Sequence, residues 1–158
     1  MKRTSEFLAH AVLREDRADG SILLRSAYDL GAVVSRTGDW LHQWADESPD
    51  HVFLAERSGA GWREETYKSA LDKVRALAAS LLSRGLNADT PILILSGNGI
   101  DHGLLVLAAQ YIGVPAVPVA EQYALIPQAH GHLVEAIELI KPQVVYAVDA
   151  EQYLSLIH

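Results

Sequence analysis

The sequence predicts an α/β fold, in which a partial parallel sheet with flanking helices follows an N-terminal β-hairpin. The short aliphatic run Ile92–Leu95 lies between Pro91 and Gly97, which is typical of a strand buried on both faces. Residues 100–112 are apolar on almost every side and predict a helix, and residues 114–119 predict a second strand. A strand, a helix and a strand in this order form a right-handed βαβ unit, and we expect the rest of the chain to pack around it.

The composition is that of a soluble globular protein. The 158 residues are 49% hydrophobic and 21% charged, which fits one domain. Twenty Asp and Glu against 13 Lys and Arg give a formal net charge of −7, which argues against binding to nucleic acid or to an anionic membrane surface. The absence of cysteine excludes disulfides and thiolate metal sites. No stretch reaches the roughly 18 apolar residues of a membrane span, so we expect a cytoplasmic protein.

The N-terminal segment is predicted to begin with a short helix and to continue as an extended piece. The apolar side chains of this helix fall on one face, at Leu8, Ala9, Val12 and Leu13. Residues 18–20 mark a break, and residues 21–24 follow as the extended piece.

A second helix is predicted from about Asp39, and Pro49 ends it. Its apolar side chains recur at i, i+1, i+4 and i+5, as Trp40, Leu41, Trp44 and Ala45. This spacing places the four side chains on one side of the helix, so both tryptophans are predicted to be core residues.

Residues 51–67 predict a β-hairpin with a glycine-containing turn at residues 58–61. The hairpin leads into an amphipathic helix over residues 67–84, which Gly85 ends. Thr66 is positioned to cap this helix. Because Ser69 stands where a full capping box has Glu or Gln, we expect a weak cap.

The C-terminal third continues the alternation of helices and strands. Residues 120–128 are predicted to form a loop, residues 130–140 a helix that ends before Pro142, and residues 143–148 a last strand. Strands that alternate with helices indicate a mainly parallel sheet.

The turn at residues 96–99 has two interpretations. Ser96 to Gly99 lie between a strand and a helix, where the phosphate loop of a dinucleotide-binding fold lies, and Glu121 lies just past the next strand, where an acid binds ribose. However, the third glycine is one position too late, and His102 occupies its place. The alternatives are a small NAD-binding module built on Ser96 to Glu121 and a purely structural turn.

The remaining polar residues do not predict an active site. His130 and His132 have the spacing of two metal ligands, but they stand at a loop-to-helix junction without a third ligand, which favours a solvated or capping role. Asp101 and His102 are sequence neighbours and point about 100° apart on a helix. The four lysines, at positions 2, 68, 73 and 141, do not follow a glycine-rich loop. We therefore assign no catalytic, cofactor-binding or metal-binding residue.

The order of several motifs resembles the beginning of the AMP-forming acyl-CoA synthetases, the acyl-adenylating superfamily. The motifs are Thr66-Tyr67 before an amphipathic helix that ends in RGL (84–86), PILILSGN (91–98) and LAAQYIGVPAVP (107–118). Two further segments, DGSILLRS (19–26) and FLAER (53–57), are similar to the feruloyl-CoA synthase branch. Asp89-Thr90 and Ser69 depart from the usual pattern of the superfamily, in a turn and in a helix cap.

The resemblance implies the first part of the large adenylation domain of a ligase. Such a ligase uses ATP, Mg and CoA to convert a small-molecule carboxylic acid, here a feruloyl-type aromatic acid, into acyl-AMP and then acyl-CoA. In the family, the phosphate loop and the catalytic lysine come after the region that these 158 residues match. We therefore expect residues 1–158 to be an incomplete N-terminal part of the domain, inactive alone and without bound cofactor.

Two further expectations concern the fragment itself. Residues 154–158 resemble one reading frame of a transposon-end sequencing adapter, which predicts a non-native C-terminus. Apolar strands without their sheet neighbours are expected to promote self-association. A non-enzymatic interaction domain is the third functional alternative.

Overall fold

The computed structural model describes residues 9–149 and Tyr153. The chain divides into two compact units, Met1–Val33 and Val34–His158. The pentapeptide at residues 154–158, interpreted as non-native, lies outside the described residues.

The first unit contains an antiparallel hairpin of β1 (Val12–Asp16) and β2 (Ile22–Ser26). The predicted helix with Val12 and Leu13 on one face is therefore wrong, although Leu8 lies outside the described residues. Gly20, at φ 83°, closes a tight turn between the two strands. This turn allows the upstream residues to pair with the extended piece, and the long-range pairing overrides the local helical pattern.

The second unit begins with helix α1 (Thr37–Glu47), which confirms the helix predicted near Asp39. A hairpin of β3 (Val52–Ser58) and β4 (Gly61–Thr66) follows, as predicted. It leads directly into α2 (Tyr67–Ser83), the predicted amphipathic helix.

A three-stranded parallel sheet lies at the centre of the second unit. Its strands are β5 (Ile92–Leu95), β6 (Ala116–Val119) and β7 (Val144–Ala147), in the order β6-β5-β7. All four residues of the middle strand β5 are buried, as the sequence predicts. Pro118, which has no N–H to donate, lies in β6 at one side of this sheet.

Helix α3 (Ile100–Tyr111) connects β5 to β6 and completes the predicted βαβ unit. Residues 120–128 are more helical than the predicted loop, because they contain a short helix, α4 (Gln122–Leu125), and the first part of a 3-10 turn, Pro127–Ala129. The predicted last helix is present as α5 (His130–Ile140).

The main core is formed where α1, α2 and α3 pack against β5. Its side chains are fully or nearly fully buried and include Val74, Ala78, Leu104, Ala108 and Ile94. The alanines allow the backbones of α2 and α3 to approach closely. A second, smaller cluster on the other face of the sheet contains Leu93, Leu95, Leu133 and Tyr153.

The prediction that both tryptophans of α1 belong to the core is wrong. Leu41 and Ala45 are 5% and 7% exposed, whereas Trp40 and Trp44 are 51% and 43% exposed. Trp40, Leu41, Trp44 and Ala45 are spread over a wide part of the helix circumference. The core packs only against the part that contains Leu41 and Ala45. The two indole rings therefore lie at the edge of the buried face.

The cap at Thr66 contains both hydrogen bonds of a capping box, although Ser69 stands in the place of Glu or Gln. Thr66 Oγ1 accepts a hydrogen bond from Ser69 N at 3.2 Å, and Thr66 N donates to Ser69 Oγ at 2.9 Å. A serine hydroxyl thus completes the reciprocal pair that usually involves Glu or Gln. Ser69 Oγ also donates to Glu65 Oε2 at 2.7 Å, which holds it in place.

Within the described part of the chain, no helix combines the length and the apolar character that crossing a bilayer requires.

Candidate functional site

The carboxyl ends of the parallel strands border a cavity of about 270 Å³. Open α/β sheets bind their ligands at this edge. The turn after β5, the start of α3 and side chains from three other segments line the cavity: Glu56, Ser96, Gly97, Asn98, Gly99, Asp101, His102, Glu121, Tyr146 and Val148. Ser96 to Gly99 and Glu121, the residues of the alternative NAD-binding interpretation, therefore lie around the same cavity.

Ser96 and His102 form a hydrogen-bonded pair at this cavity. Ser96 follows β5 and is 6% exposed, and its Oγ lies 2.8 Å from Nδ1 of His102 on the first turn of α3. The tautomer of the imidazole decides which group donates. The contact satisfies the buried hydroxyl and ties the turn to the helix that follows it.

A carboxylate from the hairpin caps helix α3. Gly99, the N-cap residue, has no side chain to offer, and Glu56 Oε2 instead accepts a hydrogen bond from Ile100 N at 2.7 Å. A negative charge at this end of a helix is also favoured by the helix dipole. Glu56 is thus a tertiary cap, contributed by a strand 44 positions earlier in the chain.

Arg63 links two carboxylates beside this cap. Its guanidinium donates to Glu56 Oε1 at 3.0 Å and to both carboxylate oxygens of Asp101, at 3.0 and 2.6 Å. The hydrogen bonds from Arg63 hold the pKa of Asp101 below its ordinary value, and Asp101 in turn raises the pKa of Arg63. Asp101 is therefore engaged with Arg63, and the pairing with His102 considered from the sequence does not form.

Glu121 lies against the glycine turn. Its Oε1 accepts a hydrogen bond from the hydroxyl of Tyr153 at 2.8 Å, and its Oε2 lies 2.7 Å from the position that a Cβ on Gly97 would take. Burial and this hydrogen bond raise the pKa of Tyr153 to about 12, so the phenol stays protonated and donates. A carboxylate in contact with Gly97 occupies the place that a pyrophosphate would need, which disfavours the NAD-binding interpretation.

His130 and His132 have separate surroundings. His130 Nε2 lies 3.0 Å from the carbonyl oxygen of Ala124, whereas His132 lies 3.8 Å from Glu135 and packs beside the ring of Tyr123. Among residues 9–149 and Tyr153, no group of three or more His, Asp or Glu side chains is arranged to hold a metal ion.

The negative charge of the cavity does not fit a nucleoside triphosphate. Glu56, Asp101 and Glu121 contribute three carboxylates, and Arg63 is already paired with two of them. Lys73, on α2, forms an ion pair with the buried Glu65 rather than facing the cavity. The residues that line this cavity therefore offer no unpaired cation to phosphate groups.

Residues 41–153 match the family model described as AMP-binding enzyme. A salicylyl-CoA synthase / salicylate adenylyltransferase from Streptomyces sp. is 32% identical over 80 residues, which are 51% of this chain and 14% of that protein. The PKS-NRPS hybrid synthetase psoA of Aspergillus fumigatus is 32% identical over 77 residues, 49% of this chain and 2% of that protein. The chain thus spans a small part of these curated relatives.

Solved structures share the fold. The N-terminal subdomain of Klebsiella oxytoca NpsA in complex with 3-hydroxyanthranilyl-AMSN has a TM-score of 0.65 at 21% identity, covering 81% of this chain and 30% of that one. The fatty acyl-adenylate ligase of Legionella pneumophila in complex with acyl adenylate and pyrophosphate has a TM-score of 0.62 at 20% identity, covering 72% of this chain and 20% of that one. The family match spans more than half of the sequence, and the chain therefore belongs to the AMP-binding enzyme family.

Proposed function

We propose that this chain is the N-terminal part of a ligase that uses ATP to activate an aromatic, feruloyl-type carboxylic acid to acyl-AMP, and then transfers the acyl group to CoA. The observation that carries the proposal is the match of residues 41–153 to the AMP-binding enzyme family. Activation of an acid by adenylation is the chemistry that the names of the Streptomyces and Legionella proteins share.

Two observations support an aromatic acid as the substrate. The Streptomyces relative is named for salicylate, an aromatic acid, and for a CoA product. The segments 19–26 and 53–57 resemble the feruloyl-CoA synthase branch. The Klebsiella subdomain was solved with an aromatic acyl group, although its low identity supports the fold rather than the substrate.

The role of these residues in the ligase is structural. The βαβ unit supplies the sheet, and the contacts of Glu56, Arg63 and Asp101 hold the hairpin against the start of α3. Because the cavity does not fit a triphosphate, we propose that ATP, Mg and CoA bind to residues outside this chain. The 158 residues alone are then inactive, and the complete enzyme acts in the cytoplasm.

The test is a comparison of acids with the product that the gene encodes when it is read beyond the codon for Gln152. We expect feruloyl-CoA, detected by chromatography and mass spectrometry, only when ferulate, ATP, Mg and CoA are all present. A fatty acid of similar length is the control substrate. Formation of a fatty acyl-CoA without feruloyl-CoA would overturn the aromatic assignment, and acyl-AMP without any acyl-CoA would overturn the second step.

A further inference from the structure

A groove of about 730 Å³ lies between helix α5 and strand β7. Its lining is largely apolar and includes two charged side chains: Leu95, Leu133, Ile137, Glu138, Lys141, Pro142 and Val145. Ile137 and Val145 are 37% and 43% exposed. The groove is separate from the cavity at the carboxyl edge of the sheet, because the two share no lining residue.

The groove lies on the sheet face opposite the main core. Side chains alternate along β5, and Leu93 and Leu95 point to the face that α5 covers. β7 pairs with β5 in parallel, with residue 145 opposite residue 93, so Val145 points to the same face. Because Val145 is still half exposed, the described helices leave the β7 side of this face partly uncovered.

The two connections between the parallel strands have a consistent handedness. Helix α3, between β5 and β6, lies on the face of the main core, whereas α5, between β6 and β7, lies on the opposite face. The strand order β6-β5-β7 makes these two crossovers run in opposite directions across the sheet. Opposite directions on opposite faces are what right-handed crossovers require. A further right-handed crossover on the α5 face therefore leads to a strand beyond β7.

Tyr153 shows which face the chain follows after β7. The strand ends at Ala147, and Tyr153 is fully buried in the cluster that contains Leu93, Leu95 and Leu133. This cluster lies on the α5 face. The chain thus leaves β7 across the face that contains the groove, and the handedness rule then places the next parallel strand beside β7.

We propose that the groove holds an amphipathic helix from the polypeptide that continues the domain in the longer gene product, and that this helix connects β7 to a fourth parallel strand. Parallel strands need a connection of about a dozen residues or more, usually a helix. The apolar face of the helix covers Ile137 and Val145, and its polar flank meets the exposed side chains of Glu138 and Lys141. The inference rests on the proposed function only in assigning the chain to a longer polypeptide.

The reactivity of introduced cysteines tests this inference, because the 158 residues contain no cysteine. Ile137→Cys and Val145→Cys are each made in the 158-residue chain and in the product that is read beyond the codon for Gln152. A maleimide labels the thiol, and mass spectrometry of the peptide that carries it gives the rate. We expect labelling at least about a hundredfold slower in the longer product, because a covered thiol reacts only when the structure opens locally.

Glu135→Cys is the matched control on the same helix. The side chain of Glu135 is 79% exposed, and two positions along a helix turn it roughly 160° away from Ile137. Its labelling rate should be the same in the two proteins. Thermal unfolding of each variant, followed by circular dichroism, verifies that its fold is retained.

Hydrogen exchange tests the fourth strand. Among the described strands, β7 pairs only with β5, so its other edge has backbone groups without a strand partner. The amides of β7 should therefore exchange more slowly in the longer product, because the new strand supplies acceptors.

Three results would overturn the inference. They are equal labelling of Ile137→Cys and Val145→Cys in the two proteins, thiols that are already protected in the 158-residue chain, and unchanged exchange of the β7 amides. Protection that disappears when the 158-residue chain is diluted would show that a second copy occupies the groove. Pyrophosphate release is a separate measurement: protection without it leaves this inference in place and contradicts the proposed function, and release without protection does the reverse.

Discussion

Replacing Glu56 by alanine tests how the hairpin and helix α3 are joined. Glu56 Oε2 accepts the hydrogen bond of Ile100 N, and Ile100 itself is 2% exposed. The substitution therefore removes the cap and leaves a buried N–H without its acceptor. It also removes one of the two carboxylates that bind Arg63, but Asp101 remains.

The expected loss follows from the lost cap and the unpaired N–H. A charged hydrogen bond at a helix N-terminus, together with the burial of the unpaired donor, is worth about 2 kcal/mol. The exposed pairing with Arg63 adds little to this. For a chain of this length, about 2 kcal/mol corresponds to a decrease in Tm of roughly 6 °C. Glu56→Gln keeps an acceptor oxygen without the charge, so we expect about half of that loss.

The assay is thermal and urea unfolding followed by circular dichroism. Glu64→Ala is the matched control, because Glu64 is exposed on β4 and its removal should change the free energy of unfolding by less than about 0.5 kcal/mol. The reasoning is refuted if Glu56→Ala costs no more than Glu64→Ala. A loss of similar size in Glu56→Gln and Glu56→Ala would show that charge, rather than an acceptor atom, is what α3 requires.

Three further predictions concern the core, acid stability and the glycine turn. Ile94→Ala, at a fully buried position of β5, should lower the free energy of unfolding by roughly 2–5 kcal/mol in urea titrations, and a loss below 1 kcal/mol would contradict the burial. The hydrogen bonds from Lys73 and Ser69 lower the pKa of Glu65 in the folded state. The ionised Glu65 therefore stabilises the fold at pH values above its unfolded-state pKa, and this stabilisation is lost as the pH falls through the folded-state pKa. Glu65→Gln should flatten the acid side of a plot of Tm against pH, and an unchanged slope would contradict this. Gly97→Ala should destabilise the chain, because the new Cβ meets the Glu121 carboxylate, which cannot move away without breaking its hydrogen bond from Tyr153. Gly131→Ala, in open space on α5, should instead stabilise the chain by about 0.5–1 kcal/mol, and equal Tm changes in the two variants would refute the close contact at Gly97.

The sequence was sufficient to predict the βαβ unit because each of its elements has a strong local signal. Ile92–Leu95 is too short for a helix and too apolar for an exposed strand, and the following helix is apolar all round. Two of the wrong predictions arose where the local pattern of apolar residues disagrees with the contacts of the folded chain. Val12 and Leu13 fit one face of a helix, but they pair with residues 25 and 26 across a turn. Trp40 fits the buried face of α1, but the core ends beside Leu41.

The surroundings of the candidate site were less predictable. The turn from Ser96 to Gly99 and the position of Glu121 follow from the order of strand, helix and strand. Glu56 and Arg63 were missed, because they reach α3 from a hairpin about 40 residues earlier and have no motif of their own. A conserved pairing between the hairpin and the helix start is the kind of signal that would have revealed them.

The central claim is that this chain is part of an acid-activating ligase, and release of pyrophosphate tests it most directly. The product encoded by the gene beyond the codon for Gln152 and the 158-residue chain are each incubated with ATP, Mg and ferulate. We predict acid-dependent pyrophosphate from the longer product and none from the 158 residues. Pyrophosphate from the 158 residues alone, or none from a folded longer product with any carboxylic acid, would contradict the proposed function.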